Sequence, residues 1–232
     1  MSLFVLLHGA WHGGWCWTRV QAQLTAAGHR CVAPDLPCDD VRAGWAEYAD
    51  AASRAVDRAD DDVVLVGHSL AGGVLPVIAT TIRVRRLVLV CAAPPEPGRS
   101  LDESLSELAD LTDPAALTFR DSMDRDGRYV WPSFEAARFA MYADCDRETA
   151  ARAYARLRPQ ATTPFTQRLP IGAWPDVPMT FIVCRDDRMG RAGPLGELAR
   201  RRFGIEPVEL PGGHSPFLSR PADLTRLLLM QR

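Results

Sequence analysis

Residues 63–73 read VVLVGHSLAGG. Four aliphatic residues lead into Gly67, Ser69 follows two positions on, and the apolar run Leu70–Ala79 comes after it. The pattern is one residue short of G-x-S-x-G, the mark of a serine held on a sharp strand-to-helix turn. The fifth position is Ala71, one methyl group larger than the pattern asks. A serine that merely capped the following helix would not account for His68 or for the glycines on both sides. Residues 63–66 are therefore read as a strand, Ser69 as a nucleophile on the turn, and the run after it as a helix.

The surroundings repeat this strand-then-helix rhythm. Short apolar runs at Leu3–Leu7, Arg30–Ala33, Leu87–Cys91, Met179–Cys184 and Pro207–Leu210 join Val63–Val66 as expected strands. They are continuous and not alternating, as suits strands covered on both faces of a parallel sheet. Helical spacing appears at Trp17, Val20, Leu24 and Ala27, with Gly28 as a stop, and again over Trp45–Ala59, Pro194–Phe203 and Pro221–Met230, the last with Ser219 as a candidate cap. The rhythm breaks between residues 93 and 176, where helical patterns near Leu101–Leu111, Phe134–Tyr142 and Asp146–Leu157 replace strands. The expected architecture is a single α/β domain over residues 1–232: about six mostly parallel strands flanked by helices, with a helical lid inserted at 93–176.

Composition narrows the function. A net charge of −2 and a charged fraction of 24% give no case for nucleic acid or an anionic membrane surface. The apolar start MSLFVLLHGA lacks a basic leader and runs into a Gly-rich turn, so it is read as a strand and not a secretion signal. The six cysteines have neither CxxC pairing nor metal-ligand spacing, which suits reduced buried thiols in a cytoplasmic protein. All 27 basic residues are arginine, which excludes any mechanism that needs a lysine amine.

A serine hydroxyl needs a base, the base needs an orienting group, and the developing oxyanion needs donors. In serine enzymes built on a strand–turn–helix, the chain order is Ser, acid, His. His214, in ELPGGHSPFL after the last strand, is the expected base. MTFIVCRDDRM offers Asp186 and Asp187 as the acid, and Asp187 is favoured because it lies further past the strand end. The donors are expected from the backbone amides of Leu70, just after the nucleophile, and Ala10, in the first loop LLHGAWHGGW, where Gly9 lets the chain turn.

With these residues assembled, FVLLHGAWHGGWCW, AAGHRCVAPDLP, VLVGHSLAGG, the insertion's YADC and LRPQ, FIVCRDD and GGHSPFLSRP are similar, in order, to the α/β-hydrolase superfamily. More narrowly, the chain resembles the plant methylesterase and hydroxynitrile lyase group and its bacterial relatives. The resemblance implies nucleophile Ser69, acid Asp187, base His214 and an oxyanion hole from the Ala10 and Leu70 amides. It also matches His12 to a histidine lining the family's active-site mouth. Two lyase positions differ: the lysine after the histidine is Ser215 here, and the first-loop threonine is Gly9. Cyanohydrin cleavage by the lysine route is thereby not expected, and HGA looks like the esterase form.

The expectation is a serine carboxylic-ester hydrolase for small apolar or aromatic esters such as methyl esters. It needs no metal or organic cofactor, its partner is a small ester, and a homodimer stays open. Other chemistries of this fold (a lyase or a C–C hydrolase) and a small-molecule binder with little turnover are the competitors. Trp131, Phe134, Phe139, Met141 and Tyr142 of the lid are candidates for the pocket wall or for packing onto the core.

Overall fold

A computed structural model describes residues 1–56, 62–108 and 110–230. Six strands form one parallel sheet: β1 (Leu3–Leu7), β2 (Arg30–Val32), β3 (Val63–His68), β4 (Arg86–Val90), β5 (Met179–Cys184) and β6 (Val208–Leu210). Their order across the sheet is β2-β1-β3-β4-β5-β6. Every residue of β1 and β3 is buried, as is every residue of β4 and β5 after the first. That burial is the physical content of the continuous apolar runs, since helices cover both faces.

Ten α-helices accompany the sheet: α1 (Thr18–Ala26), α2 (Trp45–Ser53), α3 (Val74–Ala79), α4 (Leu101–Leu105), α5 (Phe134–Met141), α6 (Arg147–Tyr154), α7 (Thr163–Thr166), α8 (Ala192–Phe203), α9 (Pro216–Ser219) and α10 (Pro221–Leu229), counted among the described residues. α4 to α7 all fall between β4 and β5, where the sequence lost its strand rhythm. Asp146 caps α6 and Ser133 caps α5, each side chain accepting a first-turn amide. Gly204, at a φ of 66°, ends α8 in the left-handed conformation that glycine adopts without strain.

Boundaries depart from expectation in ways that have local causes. β3 runs on to His68 because Gly67 and His68 still pair with Leu89 and Val90. The helix expected to reach Leu111 stops at Leu105, and Asp110 has a positive φ of 58°, which no helix continues through. The helix expected to run to Ala59 ends at Ser53, and residues 57–59 lie outside the described residues. Ser219 does not cap α10. It closes α9 and its hydroxyl donates to the Ser215 carbonyl, while Arg220 occupies the cap position without a side-chain bond.

Strand order places the site. β1 has β2 on one side and β3 on the other, so the chain turns in opposite directions after β1 and β3. Open α/β sheets bind ligands at such a switch point, beyond the carboxyl ends of the strands. The register Leu7↔Gly67 starts the β1 loop and the β3 turn side by side. No helix among the described residues is long and apolar enough to cross a membrane.

Candidate active site

Ser69 leaves β3 and opens a 3-10 turn, Ser69–Gly73, that leads straight into α3. Its φ of 52° puts a non-glycine residue in the left-handed region, a conformation that costs free energy and persists only where its surroundings enforce it. The enforcement is visible at Gly9. A β-carbon there would lie 2.7 Å from His68 Nδ1 and 3.0 Å from Ser69 Cβ, so the β1 loop presses directly on the turn. The Leu70 amide follows in the first helical turn, where N–H groups have no intrahelical partner.

His214 sits on the loop between β6 and α9, buried. Its Nδ1 meets Asp187 Oδ2 at 2.8 Å and Oδ1 at 3.0 Å. A carboxylate accepts only, so Nδ1–H is the donor, the tautomer in which a neutral ring leaves the Nε2 lone pair free. Asp187 Oδ1 also accepts the amides of Met189 at 2.8 Å and Gly190 at 3.0 Å. These N–H groups fix the plane of the carboxylate. The neighbouring candidate Asp186 is exposed, and its carboxylate accepts the Gly212 amide at 3.2 Å, away from the imidazole. The structure thus brings Asp187, and not Asp186, to His214.

Ala10, Leu70, Ser69 and His214 line one cavity of about 80 Å³. Its wall is otherwise mostly aliphatic and aromatic: Trp11, Leu101, Leu105, Leu111, Leu117, Phe119, Phe165, Met189 and Leu195 among others. Arg120 is the charged arginine on this wall, and it pairs with Asp102 at 3.0 Å. None of Trp131, Phe134, Phe139, Met141 and Tyr142 lines the cavity. Trp131 stacks behind Trp11 and Phe119, and Phe139 lies under the Arg188 guanidinium. The chain between β4 and β5 supplies the wall from α4, the following turns and α7 instead.

His12 does not reach the cavity. It is buried behind Ala10, where both ring nitrogens are engaged: Nδ1 with the Ala10 carbonyl and Nε2 with the Tyr142 hydroxyl, each at 2.8 Å. Burial pushes its pKa down to about 3. Its placement as a substrate contact is therefore replaced by one inside the scaffold. His8 is similar: its Nδ1 donates to the Gly9 carbonyl, its Nε2 accepts the Leu36 amide, and burial lowers its pKa to about 4.

Two residues near the site had no role of their own assigned from the sequence. His68 Nε2 donates to the His214 carbonyl at 2.7 Å, bracing the loop that carries the imidazole. Cys91 leaves β4 at a φ of 50° and lines the cavity, with its sulfur within 4.8 Å of donor atoms of Asp187 and His214. Burial pushes the Cys91 thiol well up, which keeps it protonated. Among the described residues these three form the one grouping close enough for a metal. Both Asp187 oxygens already accept N–H groups, so the donors serve a hydrogen-bond network.

Residues 4–227 match the model of the alpha/beta hydrolase family. The chain belongs to that family. Among curated relatives of this α/β hydrolase is a carbendazim hydrolyzing esterase from Nocardioides sp. (strain SG-4G), 40% identical over 44% of this chain; the match spans about half (46%) of that protein's length. Methylesterase 3 of Arabidopsis thaliana is 27% identical, with 97% of this chain and 94% of that protein covered. Among solved structures, a pyrethroid hydrolase from Sphingobium faniae JZ-2 superposes with a TM-score of 0.79 at 23% identity, covering 99% of this chain and 96% of that one. That structural likeness speaks for the fold.

Proposed function

We propose that this α/β hydrolase is a serine carboxylic-ester hydrolase working through an acyl-enzyme. The observation that carries the reading is the buried Asp187–His214 pair opening on the cavity that also holds Ser69 on its left-handed turn. The esterase relatives support the same reaction class.

Each group has a role that follows from its chemistry. Asp187 holds the imidazole in the Nδ1–H form and stabilises the imidazolium once it forms. His214 Nε2 takes the Ser69 proton as Oγ attacks the ester carbonyl carbon. The Ala10 and Leu70 amides receive the negative charge on the former carbonyl oxygen, an interaction stronger in the transition state than in the ground state. The imidazolium then protonates the departing alkoxide, leaving an acyl group on Ser69. A water molecule, deprotonated by His214, attacks that acyl carbon, and the carboxylic acid is released as Ser69 regains its proton. Among the described residues no hydrogen bond reaches Ser69 Oγ; unliganded serine enzymes commonly tighten this contact only when substrate binds.

The cavity favours a compact, uncharged acyl part. Its volume of about 80 Å³ and its leucine and phenylalanine wall suit a small aliphatic or aromatic acid, and methyl esters leave the least alcohol to accommodate. The test is a panel of p-nitrophenyl and methyl aryl esters, run beside Ser69→Ala. Wild-type turnover that the variant lacks, with a serine-directed phosphonate attaching at Ser69, is the expected result. Turnover no greater than the variant's, with no phosphonate adduct, removes the esterase reading and leaves a binder or another chemistry.

A further inference from the structure

We propose that Tyr142, acting through His12, is a positioning residue for the oxyanion donor at Ala10, so that the helical insertion sets the geometry of the oxyanion loop as well as walling the cavity. The inference rests on the esterase reading above and adds residues to it.

The hydrogen bonds allow a single arrangement. The Ala10 carbonyl can only accept, so His12 Nδ1 carries the proton. The ring is neutral in its buried setting, so Nε2 is bare and must be the acceptor from Tyr142. Tyr142 is fully buried and burial raises its pKa well above the usual phenol value, so its hydroxyl keeps the proton that it donates. The relay therefore runs Tyr142 O–H to His12 Nε2, then His12 Nδ1–H to the Ala10 carbonyl. The His12 ring is further boxed edge-on by Tyr142 and Phe217, with centroids 5.9 and 5.6 Å away.

The relay acts where the backbone needs holding. Fixing the Ala10 carbonyl fixes the peptide plane on one side of Ala10, whose own N–H is the proposed donor on the other. The next residue, Trp11, has a φ of 64°, which is costly for a bulky side chain. Its amide donates to Gln160 Oε1 at 3.3 Å, its carbonyl accepts the Arg158 amide at 2.8 Å, and its indole donates to the Tyr129 carbonyl at 3.0 Å. One residue on, the His12 carbonyl accepts Arg158 Nη2 at 3.0 Å. Tyr129, Tyr142, Arg158 and Gln160 all belong to the chain between β4 and β5. The strained stretch from Ala10 to His12 is thus held by bonds reaching 118 to 149 residues along the chain. Preorganised donors stabilise an oxyanion without reorganising during the reaction, and small misplacements of such groups are expensive.

The test uses the full chain, a p-nitrophenyl ester, a trifluoromethyl ketone that forms an oxyanion on Ser69, and the free carboxylic acid as a ground-state ligand. Tyr142→Phe deletes the hydroxyl and keeps the ring. It is expected to lower kcat on the order of 10-fold, less than the 100-fold or more of losing an oxyanion donor outright. Ketone affinity should fall in step with kcat, while KM and acid affinity stay within about twofold of wild type. A second pair keeps the inference testable if Tyr142→Phe folds poorly. His12→Gln supplies one donor and one acceptor, and His12→Leu supplies neither. The glutamine variant should retain at least several-fold more kcat than the leucine variant, compared after thermal melts show both folded. Wild-type kcat and ketone affinity in Tyr142→Phe, or equal loss in the two His12 variants, would overturn the relay. An inactive, unlabelled wild type would instead remove the esterase reading itself.

Discussion

Asp187 and His214 meet at 2.8 Å with both side chains buried, at the carboxyl ends of β5 and β6. Asp186, one residue earlier, is exposed and bonded to a backbone amide. Asp187→Asn should reduce kcat on the order of 1,000-fold or more, because a neutral amide no longer enforces the Nδ1–H tautomer. Asp186→Asn should stay within a few-fold of wild type. Initial rates on a p-nitrophenyl ester decide the matter, and the reverse ranking would move the acid to Asp186.

Stability should rise with pH between about 4 and 6.5. Unfolded, each imidazole binds its proton near pH 6.5. Folded, His8 binds one only near pH 4 and His12 near pH 3, because burial disfavours the cation. Within that window the unfolded chain carries more protons, so acid favours unfolding. Each histidine contributes a slope of up to about 1.4 kcal/mol per pH unit. Denaturant midpoints at pH 5.0 and 6.5 are the useful comparison, since most carboxylates finish titrating below that range. A midpoint indifferent to pH there would contradict the buried neutral state.

Ala71 lies inside the 3-10 turn with only 1% of its surface exposed, and its φ is not among the positive ones. The extra methyl relative to the glycine pattern is thus compatible with helical backbone. Ala71→Gly should keep kcat within a few-fold, at some cost in stability from the freer chain. Ala71→Val adds two buried methyl groups in a closed setting and should lower the melting temperature and soluble yield. An unchanged melting temperature for the valine variant would show room that the burial denies.

Gly73 is a sharper probe of the same turn. A β-carbon there would come within 2.5 Å of the Trp45 ring. Trp45 is fully buried and its indole donates to the Gln167 carbonyl, so it cannot simply swing away. Gly73→Ala should destabilise the fold by about 1–3 kcal/mol, as overpacked cores do. Thermal unfolding of the purified variant measures this directly.

Leu111 and Leu117 face the cavity from the turns after α4. Leu117→Ala removes part of the wall and should favour a longer acyl chain. The ratio of kcat/KM for p-nitrophenyl hexanoate over acetate should rise at least several-fold, since each methylene is worth roughly 10-fold or more in an apolar pocket. An unaltered ratio would mean that the acyl group lies elsewhere.

The local grammar of the chain is legible in its sequence. Runs such as Leu3–Leu7, apolar throughout, and Met179–Cys184, apolar but for Thr180, reflect strands covered on both faces, and both strands carry those bounds. The order Ser69, Asp187, His214 is visible because each residue lies just past the end of a strand, β3, β5 and β6 in turn. The turn at Ser69 announces itself because only small flanking residues fit it. These signals share a cause: each is imposed by the backbone within a few residues of itself.

Tertiary structure decided the rest. Asp186 and Asp187 differ only in direction past the end of β5, and direction is set by the loop amides of Met189 and Gly190 that capture one of them. The cavity wall comes from Leu101, Leu111, Leu117 and Phe119 and not from the aromatic residues of α5, because packing of the chain between β4 and β5 decides which side chains face inward. His12 looks like a loop histidine near the site, yet it is locked between Ala10 and a tyrosine 130 residues away. Contacts across such separations leave no periodic trace in the chain; they exist only once the segment between β4 and β5 packs against the β1 loop.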